Sequence, residues 1–82
     1  MPHRVLNEDW SDYDNKKIRD NRDARFFSCE ESWEVEYLLK KISRYVSKAD
    51  WQIRQAISEC CKSISGNKPR KALVECVMAK LS

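Results

Sequence analysis

Residues 28–46 read SCEESWEVEYLLKKISRYV, and the spacing of their apolar side chains decides the fold class. At about 100° per residue, Val35, Leu38, Leu39, Ile42, Tyr45 and Val46 fall on one side of a helix, the stripe that a core-facing helix needs. Ser28 can open that helix, its hydroxyl accepting from the amide three residues on while Glu31 reaches back, with Phe27 as the apolar residue before the cap. The early glutamates suit the positive end of the helix dipole, and Lys40, Lys41 and Arg44 suit the other end.

The same reasoning extends toward the C-terminus. Ser47 and Asp50 form a second capping pattern, and Ala49, Ile53, Ala56, Ile57, Cys60, Cys61 and Ile64 recur at intervals of three and four, predicting a helix to about Ser63. Ser65-Gly66-Asn67 follows with the chain's single glycine, suited to a left-handed helix end, and Asn67 stands ready to cap a third helix. Pro69 is then tolerated in the first turn, and Leu73, Cys76, Val77, Lys80 and Leu81 define a third face with Val74 at its edge. Upstream, Val5, Leu6, Trp10, Tyr13 and Ile18 show neither helical nor strand period among charges, Asn and Asp, a composition that poorly offsets the entropy of ordering. The expected architecture is all-α: a compact three-helix domain over residues 28–82, preceded by an irregular N-terminal arm over residues 1–27 with room for partial disorder, pinned by Trp10 and Tyr13.

Composition agrees with a helical domain. One Gly, no Thr and 35% charged residues leave too few turn and β-branched side chains for a sheet protein. At 82 residues there is space for one domain and little for a deep pocket, so no small-molecule substrate is expected. No apolar run is long enough for a membrane span, and MPHRVLNEDW lacks the basic-then-apolar order of a signal peptide, so the expected location is cytoplasmic, with no membrane association. In a reducing compartment the four cysteines are then expected to be buried free thiols. The net charge of +3 conceals a polarity: residues 1–27 sum to zero, residues 28–39 to −4 and residues 40–82 to +7.

The stretch Phe26–Leu73 resembles a family of short, uncharacterised bacterial helical domains whose motif runs asparagine, glutamate, aspartate, tyrosine, glutamate, valine, any residue, tyrosine, tryptophan. Here the corresponding residues are Glu30-Glu31-Ser32-Trp33-Glu34-Val35-Glu36-Tyr37-Leu38. Val46-Ser47, then Ile53-Arg54-Gln55-Ala56-Ile57, then Gly66 are similar to the family's later turn, helix and glycine. Ser32 and Leu38 depart from the motif, and no glycine precedes Val46. The resemblance implies a compact helical fold and no established activity.

Candidate chemistry is sparse. Cys29, Cys60, Cys61, Cys76 and His3 include no pair spaced by two to four residues, and adjacent Cys60 and Cys61 point about 100° apart on a helix, so neither a structural metal nor a cofactor is expected. His3 has no evident orienting partner for nucleophilic catalysis, Cys29 is a lone thiol near a helix start, and the Glu30/Glu34 pair suits an exposed first turn, so the chain is not expected to be an enzyme. Opposite the core stripe of the first helix, Trp33, Tyr37, Lys40 and Arg44 share a face. That face is either covered, by the arm through Phe26, Trp10 or Tyr13, or it binds an unknown protein partner or a second copy in a homodimer. Trp51, off its own helix's stripe, extends the patch or packs beneath the preceding turn. The alternative is nonspecific, helix-turn-helix-like nucleic-acid binding through Lys68, Arg70 and Lys71 at the start of the third helix, with mainly Ala, Val, Met and Glu following them and little to read base edges.

Overall fold

A computed structural model of the chain describes residues 2–81, with side chains from residue 4 onward. The side chain of His3, considered above as a metal ligand and a general base, lies outside the described residues. Among the described residues there are five helices and one two-stranded sheet: α1 (Pro2–Leu6), α2 (Ser11–Arg19), β1 (Phe26–Phe27), α3 (Ser32–Ser43), α4 (Asp50–Ser63), β2 (Lys68–Pro69) and α5 (Arg70–Leu81). The fold is mostly helical, and no helix among these residues is long and apolar enough to cross a membrane.

The segment expected to be an irregular arm is structured and supplies core. Val5, Trp10, Tyr13 and Phe27 are all buried there. Helix α2 escaped the sequence reading because its inward face, Trp10, Tyr13 and Lys17, offers too few apolar side chains for a stripe although the spacing of three and four is helical. Its ends carry local signals. The Asp9 carboxylate accepts from the Ser11 N–H at 2.9 Å ahead of the first turn. At the other end Asn21 adopts a left-handed φ of 60°, and the amides of Asn21 and Arg22 donate back to Ile18 O and Lys17 O at 3.0 and 2.7 Å, the paired closure of a Schellman turn.

Both expected serine caps are displaced. Phe26 and Phe27 stay extended because they pair antiparallel with Pro69 and Lys68, and the Ser28 N–H donates to the Glu34 carboxylate at 2.9 Å, so α3 cannot begin before Ser32. Helix α3 then ends at Ser43, which leaves Tyr45 beyond the stripe and partly exposed. Helix α4 starts from Ala49, whose N–H donates to Gln52 Oε1 at 3.0 Å, and Ser47 lies outside it. Its end at Ser63 and the left-handed Gly66 (φ 69°) agree with the sequence reading. Asn67 does not cap α5. Instead the Arg70 N–H donates to Arg25 O at 2.9 Å, extending the short sheet into the helix start.

Helix α5 is central: it packs on α4, α1 and both strands. This explains why its buried set, Leu73, Val74, Val77, Met78 and Leu81, is broader than the single expected face, while Cys76 is half-buried and Lys80 reaches outward to Glu59. The free-thiol expectation is corrected. Cys29 bonds to Cys61 and Cys60 to Cys76, with Cα atoms 6.2 and 6.0 Å apart. The 100° divergence of adjacent helical residues turns Cys60 toward α5 and Cys61 toward the turn before α3, so α4 is tied to both neighbours.

Candidate functional site

The aromatic face of α3 is occupied by the chain itself. Tyr13 lies 5.4 Å from Trp33 and 5.5 Å from Tyr37 between ring centroids, and Trp10 lies 5.5 Å from Tyr37 and edge-on to Tyr13 at 5.3 Å. Lys16 Nζ stands 5.0 Å from the Trp33 ring, which is half-buried. The Tyr37 hydroxyl donates to Asp9 O at 3.3 Å, and Lys41, buried beside it, donates to the same oxygen at 2.7 Å. Arg44 pairs with Glu8 at 3.0 Å, and Lys40 stays exposed. Of the four residues read as a partner-binding patch, the two aromatics thus meet α2 and the preceding turn, Arg44 is engaged at its exposed rim, and Lys40 faces solvent.

Beneath this layer lies a buried polar cluster that sequence reading missed. Glu34, fully buried on α3, accepts from Tyr13 OH at 2.7 Å, from Ser28 N–H at 2.9 Å and from Lys17 Nζ at 3.0 and 3.2 Å. Lys17, itself 2% exposed, also donates to Phe26 O at 2.8 Å. Every polar atom of the cluster is partnered, which is the condition under which a buried ion pair is tolerated. Burial and the adjacent Glu34 carboxylate push the Tyr13 hydroxyl pKa far above its ordinary value. The cluster locks α2, β1 and α3 together.

The basic residues at the start of α5 are likewise engaged. Arg70 pairs with Asp14 at 2.8 Å and stacks over Trp10 at 4.6 Å and Tyr13 at 5.5 Å. Lys68 donates to Gly66 O at 3.0 Å, and Lys71 is exposed. The three therefore do not form one cationic surface of equal members.

Trp51 and Ile18 are the two most exposed large apolar side chains among the described residues, and Trp51, the larger, borders a groove. It stands 64% exposed in the first turn of α4. Beside it a shallow groove of about 260 Å³ runs between α4 and α5, with Ala56 and Leu81 as its apolar part and Lys48, Gln55 and Lys80 among its polar walls. No family model, curated protein or solved structure matches the chain.

Proposed function

We propose that the chain is a small disulfide-braced binding module that docks a protein partner through Trp51 and the groove between α4 and α5. The observation that carries this reading is the exposure of Trp51. A tryptophan left in water forgoes one of the largest burial gains available to a side chain, and tryptophan is among the residue types enriched at interface hot spots. Lys48 and Lys80 at the rim favour a partner that presents a carboxylate next to an apolar side chain, although Lys80 already leans on Glu59 at 3.7 Å. The binding role inferred from the sequence is kept, and its location moves from the α3 face, where Trp33 and Tyr37 serve the fold, to the start of α4.

The nucleic-acid reading has less support, because Arg70 is committed to Asp14 and two aromatic rings. The bridged cysteines weigh against cytoplasmic residence, which was expected from the lack of a membrane span and of a signal-peptide pattern, because disulfides fit an oxidising compartment better than the cytosol. The test is affinity capture with the oxidised protein and nuclease treatment, comparing wild type with Trp51→Ala, Trp33→Ala and Lys71→Glu. A defined protein that survives nuclease, is lost with Trp51→Ala and is retained with Lys71→Glu supports the reading. Equal recovery by wild type and Trp51→Ala overturns it.

A further inference from the structure

The two bridges differ in what surrounds them. In the bridge between α4 and α5, Cys60 is fully buried and Cys76 half-buried, whereas Cys29 and Cys61 are both half-buried and both line a surface cleft of about 130 Å³ with Val35, Arg54, Ile57 and Ser58. Thiol–disulfide exchange requires a thiolate to reach a sulfur, and access therefore ranks bridges by lability. Arg54 at the same cleft is paired with Glu36, so access rather than a spare cation distinguishes this bridge. The turn that Cys29 anchors, between β1 and α3, is short and not helical, so it can move without unwinding an element.

We propose that Cys29–Cys61 is a thiol-reducible latch that opens while Cys60–Cys76 stays closed. A dithiol reductant supplies the electrons. Its thiolate attacks one sulfur of the bridge, forming a mixed disulfide and releasing the other sulfur as a thiolate. The reductant's second thiolate then attacks its own sulfur in the mixed disulfide and releases the remaining cysteine. The bridge gains two electrons and, with two protons, becomes two thiols, and the reductant leaves as its own disulfide. Cys29 also lines a second cleft, of about 370 Å³, together with Phe26, Glu30, Asn67 and Lys68. Opening the latch frees one wall of that cleft and uncouples α4 from the turn, while Phe27 and the Glu34 cluster hold β1 and α3 in place. The device is independent of the partner reading above and gives the chain two folded states, one suited to oxidising and one to reducing surroundings.

The test is to treat the oxidised protein with graded dithiothreitol under native conditions, quench with iodoacetamide and map the labels by mass spectrometry, following helix content in parallel. The expected result is a doubly labelled species carrying both labels on Cys29 and Cys61, formed about tenfold faster than the fully labelled one, at unchanged helix content. In Cys29→Ser/Cys61→Ser the helix content should persist, and Cys60–Cys76 should open at the slow wild-type rate. Simultaneous opening of both bridges, earlier opening of Cys60–Cys76, or loss of helix with the first pair of labels would overturn the proposal. So would collapse of the double variant, or failure of Cys29 and Cys61 to bond in a glutathione redox buffer.

Discussion

The carboxylate of Glu34 concentrates more of this protein's specificity than any other side chain. Buried charge is costly, and a buried pair seldom adds stability over an apolar substitute, yet removing one partner strands the other. Glu34→Gln keeps an acceptor for Tyr13 and Ser28 but leaves Lys17 charged at 2% exposure, so it should cost about 3–5 kcal/mol in urea denaturation. Lys17→Met added to Glu34→Gln should recover at least about half of that loss, since the stranded charge is then gone. An additive double variant would show that the ion pair has no such role. Tyr13 makes the cluster sensitive to alkali. Its folded pKa is raised, so above the ordinary phenol value of about 10 the native state holds a proton that the unfolded chain has released, and stability falls as pH rises. The alkaline limb of a stability profile should therefore be shallower in Tyr13→Phe than in wild type above pH ~10. At the other limb Glu8, whose pKa is lowered by the Tyr45 hydroxyl and by Lys41 and Arg44, contributes stability that is lost as pH falls through the carboxylate range.

Helices with several apolar side chains at helical spacing were legible, even α3 with Glu34 and Lys41 buried beside them, whereas α2, whose buried residues are Tyr13 and Lys17, offered too few. Leu38, Ile42, Ile53 and Ile57 are buried where periodicity put them. Start positions shifted for a different reason: capping patterns at Ser28 and Ser47 are local, and β1 pairing with β2 is not. The hidden N-terminal elements give a sharp expectation. If residues 1–27 were an arm, Trp10→Ala would be nearly neutral. Buried beneath Arg70 and donating from Nε1 to Val5 O at 2.9 Å, Trp10 should instead cost about 3–5 kcal/mol on truncation, comparable with Leu38→Ala or Ile57→Ala at about 2–5. Trp33→Ala, from a half-buried position, should cost about 2 kcal/mol, and Trp51→Ala less than about 0.5. Chemical denaturation of the five variants checks the order, and a large loss at Trp51 would make it a structural residue and remove it as a docking site.

Across the whole molecule, folding undoes the charge polarity that the linear sequence displays. The +7 of residues 40–82 suggests a cationic surface, but Lys41 and Arg44 meet Glu8, Arg54 meets Glu36, Arg70 meets Asp14 and Lys80 meets Glu59. Half of the ten basic side chains in that stretch are thus paired, two of the acidic partners coming from the N-terminal segment whose own charges sum to zero. One-dimensional charge counting cannot anticipate this, because it contains no information on which segments fold back on which. The consequence is measurable as the salt dependence of nucleic-acid association. Three phosphate contacts from Lys68, Arg70 and Lys71 on duplex DNA require a log-log slope of roughly −2.7, since each neutralised phosphate releases condensed counterions. With Arg70 held by Asp14 and Lys68 folded onto Gly66 O, the slope should be no steeper than about −0.9, the value for Lys71 alone. Fluorescence anisotropy of labelled duplex between low and moderate salt measures it, with Asp14→Asn as the informative variant. Releasing Arg70 from its carboxylate should steepen the slope by about one contact, whereas a wild-type slope already near −2.7, abolished by reversing the three charges, would make nucleic-acid binding the better reading of this surface.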